Sequence, residues 1–225
     1  MARITLKTEK KVAHVRLVRP EKRNALDEQG FAELGKLFEE IRTESKNRVV
    51  IISADGPDFS AGIDLGYVQK VIGRKDETDY VADLISRLQG QINAVYDCPV
   101  PVIAVVQGNC LGAGLDLLAA CDLVLADRTA KFAISEINLG IVADLGSLGR
   151  LKHRLGDLAL NDLAFTGRTV DAEEAKTIGL VNHVFDSKEE AMEKAAKLAK
   201  TISIKSPRAV KATKRLLRLG NSDAR

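Results

Sequence analysis

Hydrophobic and polar residues follow two different periods along the chain, one typical of strands and one typical of helices. Residues 12–18 alternate between apolar and polar side chains, as in a strand with one buried face. Two β-branched runs bounded by turn residues, 48–53 and 101–106, predict buried strands. Shorter strands are predicted at 123–127 and 131–134.

Apolar residues at helical spacing predict a helix before the 48–53 strand and another after it. The first set is Phe31, Leu34, Leu37, Phe38 and Ile41, and the second is Val81, Leu84, Ile85, Leu88, Ile92 and Val95. A short helix is predicted over 114–121, between the later strands. Strands that alternate with helices in this way predict an α/β fold with helices packed on a largely parallel sheet.

The last part of the chain is predicted to be helical. Ser187 and Glu190 form a capping-box pattern, in which each side chain accepts a hydrogen bond from a free backbone N–H of the other. Pro207 follows Ser206 at the start of a final helix. We therefore divide the chain into an α/β core, residues 1–186, and a C-terminal helical segment, residues 187–225.

Composition narrows the class of protein. The chain has 225 residues, of which 45% are hydrophobic and 29% charged, as in one large globular domain. The longest uncharged run, 98–115, is interrupted by proline, glycine and polar residues, so we expect no membrane span. The first residues lack the apolar run of a signal peptide, so we expect the mature chain to start there, and three unpatterned cysteines favour a reducing, cytoplasmic location.

The net charge of +3 conceals a gradient along the chain. Residues 1–50 and 187–225 are basic, whereas the part between them is acidic. The two basic ends could gather around a phosphorylated ligand, and solvated helix faces are the alternative explanation.

Two glycine-rich loops, 58–65 and 108–114, each follow a predicted buried strand. Sheets of this class bind ligands beyond the carboxyl ends of their strands, where loop N–H groups are free to meet an anion. The glycine spacing matches neither a dinucleotide fingerprint nor a P-loop. Tight turns without a ligand are the alternative.

Three acidic residues lie in the least charged part of the chain. Asp116 is in an apolar helix, and Glu136 and Asp144 are in an almost wholly apolar stretch. Buried carboxyl groups gain hydrogen-bond donors or acquire a raised pKa, which suits general acid and base catalysis. A simple acid at a helix start is the alternative for Asp116. The histidines form no metal-site pattern, and no nucleophile elbow is present.

The order of these motifs resembles one known family, the crotonases, which are the enoyl-CoA hydratases and isomerases. The resemblance extends from the first strand to about Lys214 and is carried by Phe59–Leu65, Gly108–Asp116, Ala120–Asp122, Phe132–Gly140, Thr166–Arg168 and Ala172–Val181. It implies a spiral of strand–strand–helix units with a C-terminal helical region.

Members of this family bind a coenzyme A thioester so that two backbone N–H groups stabilise an enolate. By position, the resemblance assigns those donors to Ile63 and Ala113. Ala113 stands where relatives usually have glycine, which is tolerable only if its φ is negative.

The three acids are similar to those of the dienoyl-CoA isomerases within the family. The resemblance implies that Glu136 removes a proton from C2 of a 3,5-dienoyl-CoA, that Asp144 returns one at C6, and that Asp116 orients or polarises the site. The product would be a 2,4-dienoyl-CoA of fatty acid β-oxidation. An enoyl-CoA hydratase is the second hypothesis, and a non-catalytic protein that binds nucleic acid or an acidic partner is the third.

The resemblance also implies a surface for coenzyme A. Its residues would be Lys22, Arg23, Ala25, Ala61, Gly62, Asp64, Leu65 and Gly114, with a basic lysine or arginine near the phosphates. A simple basic turn is the alternative for the two cations. The basic last helix, including Lys214 and Arg218, would approach the phosphates or else be solvated.

The remaining expectations concern partners and pocket walls. We expect no cofactor beyond the CoA moiety of the substrate, a homotrimer or homohexamer as in relatives, and no role for nucleic acid. The acyl pocket should be bounded by loops such as 67–79.

Overall fold

The computed structural model describes residues 2–73 and 78–219, and within these residues nine strands form two sheets. The strands are β1 Ile4–Glu9, β2 Val12–Leu17, β3 Val49–Ala54, β4 Val102–Val106, β5 Asn109–Leu111, β6 Leu123–Asp127, β7 Lys131–Ala133, β8 Val170–Asp171 and β9 His183–Phe185. The helices are α1 Glu28–Thr43, α2 Leu65–Ile72, α3 Thr78–Tyr96, α4 Ala113–Ala119, α5 Ser147–Thr166, α6 Ala172–Thr177, α7 Lys188–Ser203 and α8 Pro207–Leu219, with 3-10 turns at Pro20–Lys22 and Glu136–Leu139.

The larger sheet has the strand order β1-β2-β3-β4-β6-β9. Only the β1–β2 pair, a hairpin, is antiparallel, and the other neighbours are parallel. The smaller sheet has the order β5-β7-β8. The prediction of a largely parallel sheet with helices packed on it is therefore confirmed.

Both faces of the central strands are covered, which explains why β3 and β4 show no alternation of polarity. Val50 and Ile52 belong to the main hydrophobic core. Their neighbour Ile51 faces the other way, into a second core closed by α7. That helix is narrow on its buried side because Ala191 and Ala195, both fully buried, lie against the sheet.

After β3, the chain repeatedly passes from the larger sheet to the smaller one and then into a helix. β4, β5 and α4 form one such unit, and β6, β7 and α5 form the next. This is the strand–strand–helix spiral that the family resemblance implied. It brings the ends of β2, β3 and β4 to the same edge of the larger sheet, because parallel strands end on the same side.

Some boundaries differ from those predicted. The short helix α4 begins at Ala113, and the segment 67–79, expected to be a loop, starts inside α2; residues 74–77 lie outside the described part. Ser187 accepts a hydrogen bond from Glu190 N as predicted, but the Glu190 carboxylate accepts from Asp186 N instead of Ser187 N.

The C-terminal segment is helical as predicted over α7 and α8. Residues 220–225 lie outside the described part of the chain. The proposed boundary between a core at 1–186 and a helical segment at 187–225 stays a prediction.

Candidate functional site

The carboxyl ends of β2, β3 and β4 lead into three segments that hydrogen-bond to one another. Leu26 N donates to Gly62 O at 2.8 Å, and Asp64 N donates to Leu26 O at 2.9 Å. Leu111 N donates to Ser60 O at 3.0 Å. Both predicted glycine loops therefore belong to one continuous surface at the edge of the sheet.

Two backbone amides on this surface, those of Ile63 and Ala113, have no hydrogen-bond partner among the residues that the structure describes. Gly62, with φ of +97°, lets the two loops touch, since a Cβ there would lie 2.8 Å from Leu111 O and 3.5 Å from Ala113 N. Ala113 is the first residue of α4 and has no positive φ, so its methyl group is tolerated. The two predicted donors are thus adjacent and available.

The Glu136 carboxylate lies beside the second glycine loop, at the start of the 3-10 turn after β7. A Cβ at Gly112 would lie only 3.1 Å from Glu136 Oε1, so glycine permits this approach. Within the described residues, Glu136 Oε2 is buried without a hydrogen-bond partner. Burial, helped by the charge of Asp116, raises the pKa of Glu136 to about 7. The group is therefore suited to accept and release a proton near neutral pH.

Asp116 is buried on α4, with 1% of its surface exposed. Burial raises the pKa of its carboxyl group to about 6, although hydrogen bonding by Ser147 and the charge of Arg150 act in the opposite direction. Ser147 N, in the first turn of α5, donates to Asp116 Oδ1 at 2.8 Å. The end of a helix thus partly compensates a buried acid.

Asp144 lies in the turn that precedes α5 and is exposed. Partial burial nevertheless raises the pKa of its carboxyl group above the ordinary aspartate range. Gln89 Nε2, on α3, donates to the main-chain oxygen of Asp144 at 2.7 Å and ties the turn to that helix.

Two neighbouring cavities meet at the unpaired amides. The first, here called the cation-rimmed cavity, has a volume of about 410 Å³ and carries Lys22 and Arg23 at its edge. The second, the apolar cavity, has a volume of about 150 Å³. Both are bounded by Ile63, Ala113 and Glu136.

The apolar cavity brings the three predicted acids together, since Asp116, Glu136 and Asp144 all line it. Much of its remaining wall is apolar and comes from α2 and α3, through Val68, Val71, Val81, Leu84, Ile85 and Leu88. The acids therefore face a shared, poorly hydrated space that an acyl chain could fill.

Most of the predicted binding residues line the cation-rimmed cavity. They are Lys22, Arg23, Ala25, Ala61, Gly62, Asp64 and Leu65. The carboxylate of Asp64 is already occupied, because Oδ1 accepts from Gly66 N at 2.9 Å and Oδ2 pairs with Arg19 at 3.0 Å. Gly114 is not among the described residues that line either cavity. Its role is structural, because a Cβ at this position would lie 2.8 Å from Ser60.

Sequence reasoning missed part of the site. Ser135, Leu139 and Ile141 line the cation-rimmed cavity. Tyr67, by contrast, lines the apolar cavity and belongs to the segment 67–79 that was expected to bound the acyl pocket. The helical spacing of Leu84 and Leu88 predicted a core helix, which they do form, but could not show that the same face borders a cavity. Gln89 carried no signal, because its only role at the site is to bond a distant main-chain oxygen.

Two cations of the basic last helix neither approach a phosphate site nor face solvent, which were the two expected alternatives. Lys214 Nζ, which is buried, donates to Asp122 Oδ2 at 2.6 Å and to Val100 O at 2.8 Å. Arg218 pairs with Asp122 Oδ1 at 2.6 Å. These two side chains therefore anchor α8 to the core and are neither solvated nor directed at a ligand, whereas Arg215 is exposed.

Neither a metal-binding cluster nor a membrane-spanning helix occurs among the described residues of the chain. No group of three or more histidine, cysteine, aspartate or glutamate side chains among them is arranged to hold a metal ion. In residues 2–73 and 78–219, no helix has the length and apolar character needed to cross a membrane.

Comparison with protein families gives one match that spans most of the chain. Residues 7–224 match the model of the enoyl-CoA hydratase/isomerase family. The similar curated proteins include the mitochondrial Delta(3,5)-Delta(2,4)-dienoyl-CoA isomerase of Homo sapiens, which is 42% identical over 92% of this chain and 65% of its own length. The enzyme of the same name from Rattus norvegicus is 41% identical over the same shares. The chain thus spans slightly less than two thirds of the length of these relatives.

Solved structures agree on the architecture. A putative enoyl-CoA hydratase/isomerase (crotonase) from Legionella pneumophila is 29% identical, with a TM-score of 0.90 over 99% of this chain and 85% of its own. An enoyl-CoA hydratase/carnithine racemase from Magnetospirillum magneticum has a TM-score of 0.91 and 29% identity, over 99% and 83%. The crotonase-like fold predicted from the sequence is confirmed, and the chain belongs to the enoyl-CoA hydratase/isomerase family.

Proposed function

We propose that this protein isomerises a 3,5-dienoyl-CoA to the 2,4-dienoyl-CoA, a reaction of fatty acid β-oxidation. The observation that carries the proposal is the convergence of three carboxyl groups with raised pKa values on one apolar cavity, beside two unpaired backbone amides. The similarity to curated dienoyl-CoA isomerases at about 40% identity supports it.

The thioester carbonyl would lie where the two cavities meet, with its oxygen toward Ile63 N and Ala113 N. Removal of a proton from C2 moves the bonding electrons toward this oxygen, which becomes anionic. Fixed donors in a poorly hydrated site stabilise such an oxygen, and loss of one donor typically costs about 3 to 4 kcal/mol.

Proton transfer would occur at two separated carbons. Glu136, in its ionised form, takes the proton from C2, and the electrons spread through the conjugated chain to C6. Asp144, in its protonated form, then donates a proton to C6, which leaves double bonds at C2 and C4. Because Asp144 is exposed, it can recover its proton from solvent. Asp116 orients and polarises the site through its charge on Glu136.

The coenzyme A part of the substrate would occupy the cation-rimmed cavity. Lys22 and Arg23 are exposed at its edge and could pair with phosphate groups. We include no cofactor other than this moiety in the proposal.

A hydratase is the second candidate, and one observation favours it. Asp116 and Glu136 line the same cavity and the charge of Asp116 acts on Glu136, as in a pair of acids that position and activate a water molecule. Asp144 has no evident task in water addition, which is why we prefer the isomerase. Loss of enoyl absorbance with addition of water would identify the hydratase.

Deuterium exchange tests the assignment of the two proton sites. In D₂O, the wild type should convert a 3,5-dienoyl-CoA into a 2,4-dienoyl-CoA that carries deuterium at C6. Glu136→Gln should lose about 10² to 10⁴ in kcat and should not exchange the C2 proton. Asp144→Asn should lose a similar factor yet still exchange at C2, since the base remains.

Asp157→Asn is the matched control, because Asp157 is an exposed acid of α5 whose only ion-pair partner among the described residues is Lys152. It should behave as the wild type does. A wild type without turnover, or an Asp144→Asn variant with full turnover, would contradict the proposal. If the protein instead bound nucleic acid or an acidic partner with an affinity that acyl-CoA did not change, the non-catalytic hypothesis would be favoured.

Assembly and location extend the proposal. A homotrimer or homohexamer would cover apolar side chains of α5 that are exposed here, among them Leu158 at 88% and Phe165 at 74%. The relatives named above are mitochondrial proteins, and the cytoplasmic location expected from the sequence stays a prediction for this chain.

A further inference from the structure

The turn that carries Asp144 is held by two hydrogen bonds to its main-chain oxygens. Gln89 donates to Asp144 O at 2.7 Å, and Arg150 Nη1 donates to Leu145 O at 3.1 Å. The first bond comes from α3 and the second from α5. The direction of the Asp144 side chain therefore depends on the hydrogen bonds by which these two helices hold the turn.

Arg150 is itself fixed by several contacts. Its Nη2 donates to Asn93 Oδ1 at 2.5 Å, and its guanidinium lies 4.9 Å from the centre of the Tyr96 ring. It packs closely against Gly146, which has φ of +102° and where a Cβ would lie 2.6 Å from Arg150 Nη1. The guanidinium thus sits in a fitted position between α3 and the turn.

Tyr96 also contacts Arg218, whose guanidinium lies 3.6 Å from the ring centre. Arg218 is anchored by Asp122, as described above. The ring therefore contacts two cations, one from α5 and one from α8. Tyr96 thus links Arg150 to the anchored side chain of Arg218.

Arg150 also places a positive charge near the acids. The charged or titratable groups that face it are Asp116 on α4, Tyr96 at the end of α3, Asp97 just after that helix, and Arg218 on α8. Its charge opposes the effect of burial on Asp116, which also receives the Ser147 hydrogen bond and feels the charge of Asp144. Asp116 and Asp144 in turn act on Glu136.

We propose that Arg150 is a positioning residue, which holds the turn of Asp144 through its hydrogen bonds and keeps Asp116 ionised beside Glu136 through its charge. The inference rests on the proposed isomerase, because it gives Arg150 a role in the placing of the second proton. The hydrogen bonds and the charge are separable, since lysine keeps the charge but lacks the planar fork, whereas glutamine lacks the charge.

The test compares Arg150→Gln and Arg150→Lys with Arg154→Gln in the full chain. Arg154 lies one turn later on α5 and donates to Ala119 O and Cys121 O at the end of α4, away from the Asp144 turn. It is a matched control for the loss of a structural arginine. The measurements are kcat and KM for a 3,5-dienoyl-CoA over a range of pH.

Arg150→Gln should lower kcat by about tenfold or more, because misplaced groups slow the reaction, and should change KM by less than about threefold. The acid limb of its pH profile should move to higher pH by about half a unit or more, since Asp116 loses a favourable charge and titrates together with Glu136. Arg150→Lys should keep the wild-type limb but show a lower kcat. Arg154→Gln should lose stability while its limb and kcat stay those of the wild type.

A wild-type limb in a folded Arg150→Gln variant, or the same shift in Arg154→Gln, would overturn the proposal. A carboxyl ¹³C NMR titration, assigned with Asp116→Asn, separates this failure from that of the proposed function. If the wild type has no turnover, the isomerase is excluded, and the Asp116 signal then decides the role of the charge. Its titration should move to higher pH in Arg150→Gln and not in Arg154→Gln, and an unchanged titration would contradict the inference.

Discussion

Ala113 shows how much of the proposed chemistry depends on a single backbone group. As the first residue of α4, it has an N–H that no helical carbonyl can accept, and no other described residue bonds it. Ile63 N is also without a partner among the described residues, although Leu26 hydrogen-bonds to the residues on both sides of it, Gly62 and Asp64. Such groups are costly to bury unless a ligand binds them, which agrees with a role at the developing oxyanion.

Proline at position 113 should therefore remove the donor without preventing α4 from forming, since proline is tolerated at the first position of a helix. We expect Ala113→Pro to lower kcat by about 10² to 10³, the usual effect of losing one oxyanion donor. Steady-state kinetics with a 3,5-dienoyl-CoA would measure this.

Glu28→Pro provides the control, because Glu28 is the exposed first residue of α1 and its N-cap Asp27 is extended. It should keep normal kinetics and normal thermal stability. A folded Ala113→Pro variant with wild-type kcat would show that this amide does not contact the reacting oxygen.

Among the elements, α8 is held by a cluster that the sequence does not reveal. The carboxylate of Asp122 accepts hydrogen bonds from Lys214 and Arg218, which lie more than ninety residues later in the chain. Its Oδ2 also accepts from Val102 N at 2.8 Å. One carboxylate thus joins α8 to the start of β4. Without it, two largely buried cations would be left without a counter-charge.

Asp122→Ala should lower the free energy of unfolding by about 3 kcal/mol or more, because breaking a buried ion pair leaves an uncompensated charge. Urea denaturation would measure the change. Glu174→Ala breaks an exposed pair with Arg168 and should cost less than about 1 kcal/mol. Equal losses in the two variants would show that Asp122 has no special anchoring role.

At the scale of the whole molecule, the buried acids reduce stability at neutral pH. The folded state raises the pKa of Glu136 from its ordinary value of 4.5 to about 7, so it binds this proton more tightly than the unfolded chain does. The resulting stability is complete below about pH 4.5 and is lost as the pH rises through 7.

Glu136→Gln should therefore be more stable than the wild type above neutral pH, by about 1 to 2 kcal/mol, a figure reduced for the partial solvation of the carboxyl group. Below about pH 4.5 the two proteins should differ little in this respect. Chemical denaturation between pH 4 and 8 would measure the difference, with Glu173→Gln, an exposed glutamate of α6, as the control. A constant difference over this range would contradict the raised pKa.

The sequence alone predicted much of the fold because its signals are local. The β-branched run 48–53 and the helical spacing from Phe31 to Ile41 correspond closely to β3 and α1. The reason is that the buried face of an element determines the polarity of residues close together in the sequence. The glycines at 62 and 112 also indicated close approaches, which the structure shows between the two glycine loops and between the second loop and Glu136. By contrast, α5 contains a break at Gly156, with φ of 72° and ψ of 165°, that no periodic pattern indicates.

The chemical types at the site were likewise determined by the sequence, which showed three acids in an apolar setting and two glycine loops after buried strands. Only the tertiary structure decided that these acids line one cavity, that Asp64 caps a helix, and that Arg150 faces Asp116. The physical reason is that pKa values and hydrogen-bond partners depend on burial and on distances between segments far apart in the chain, which the order of residues does not specify.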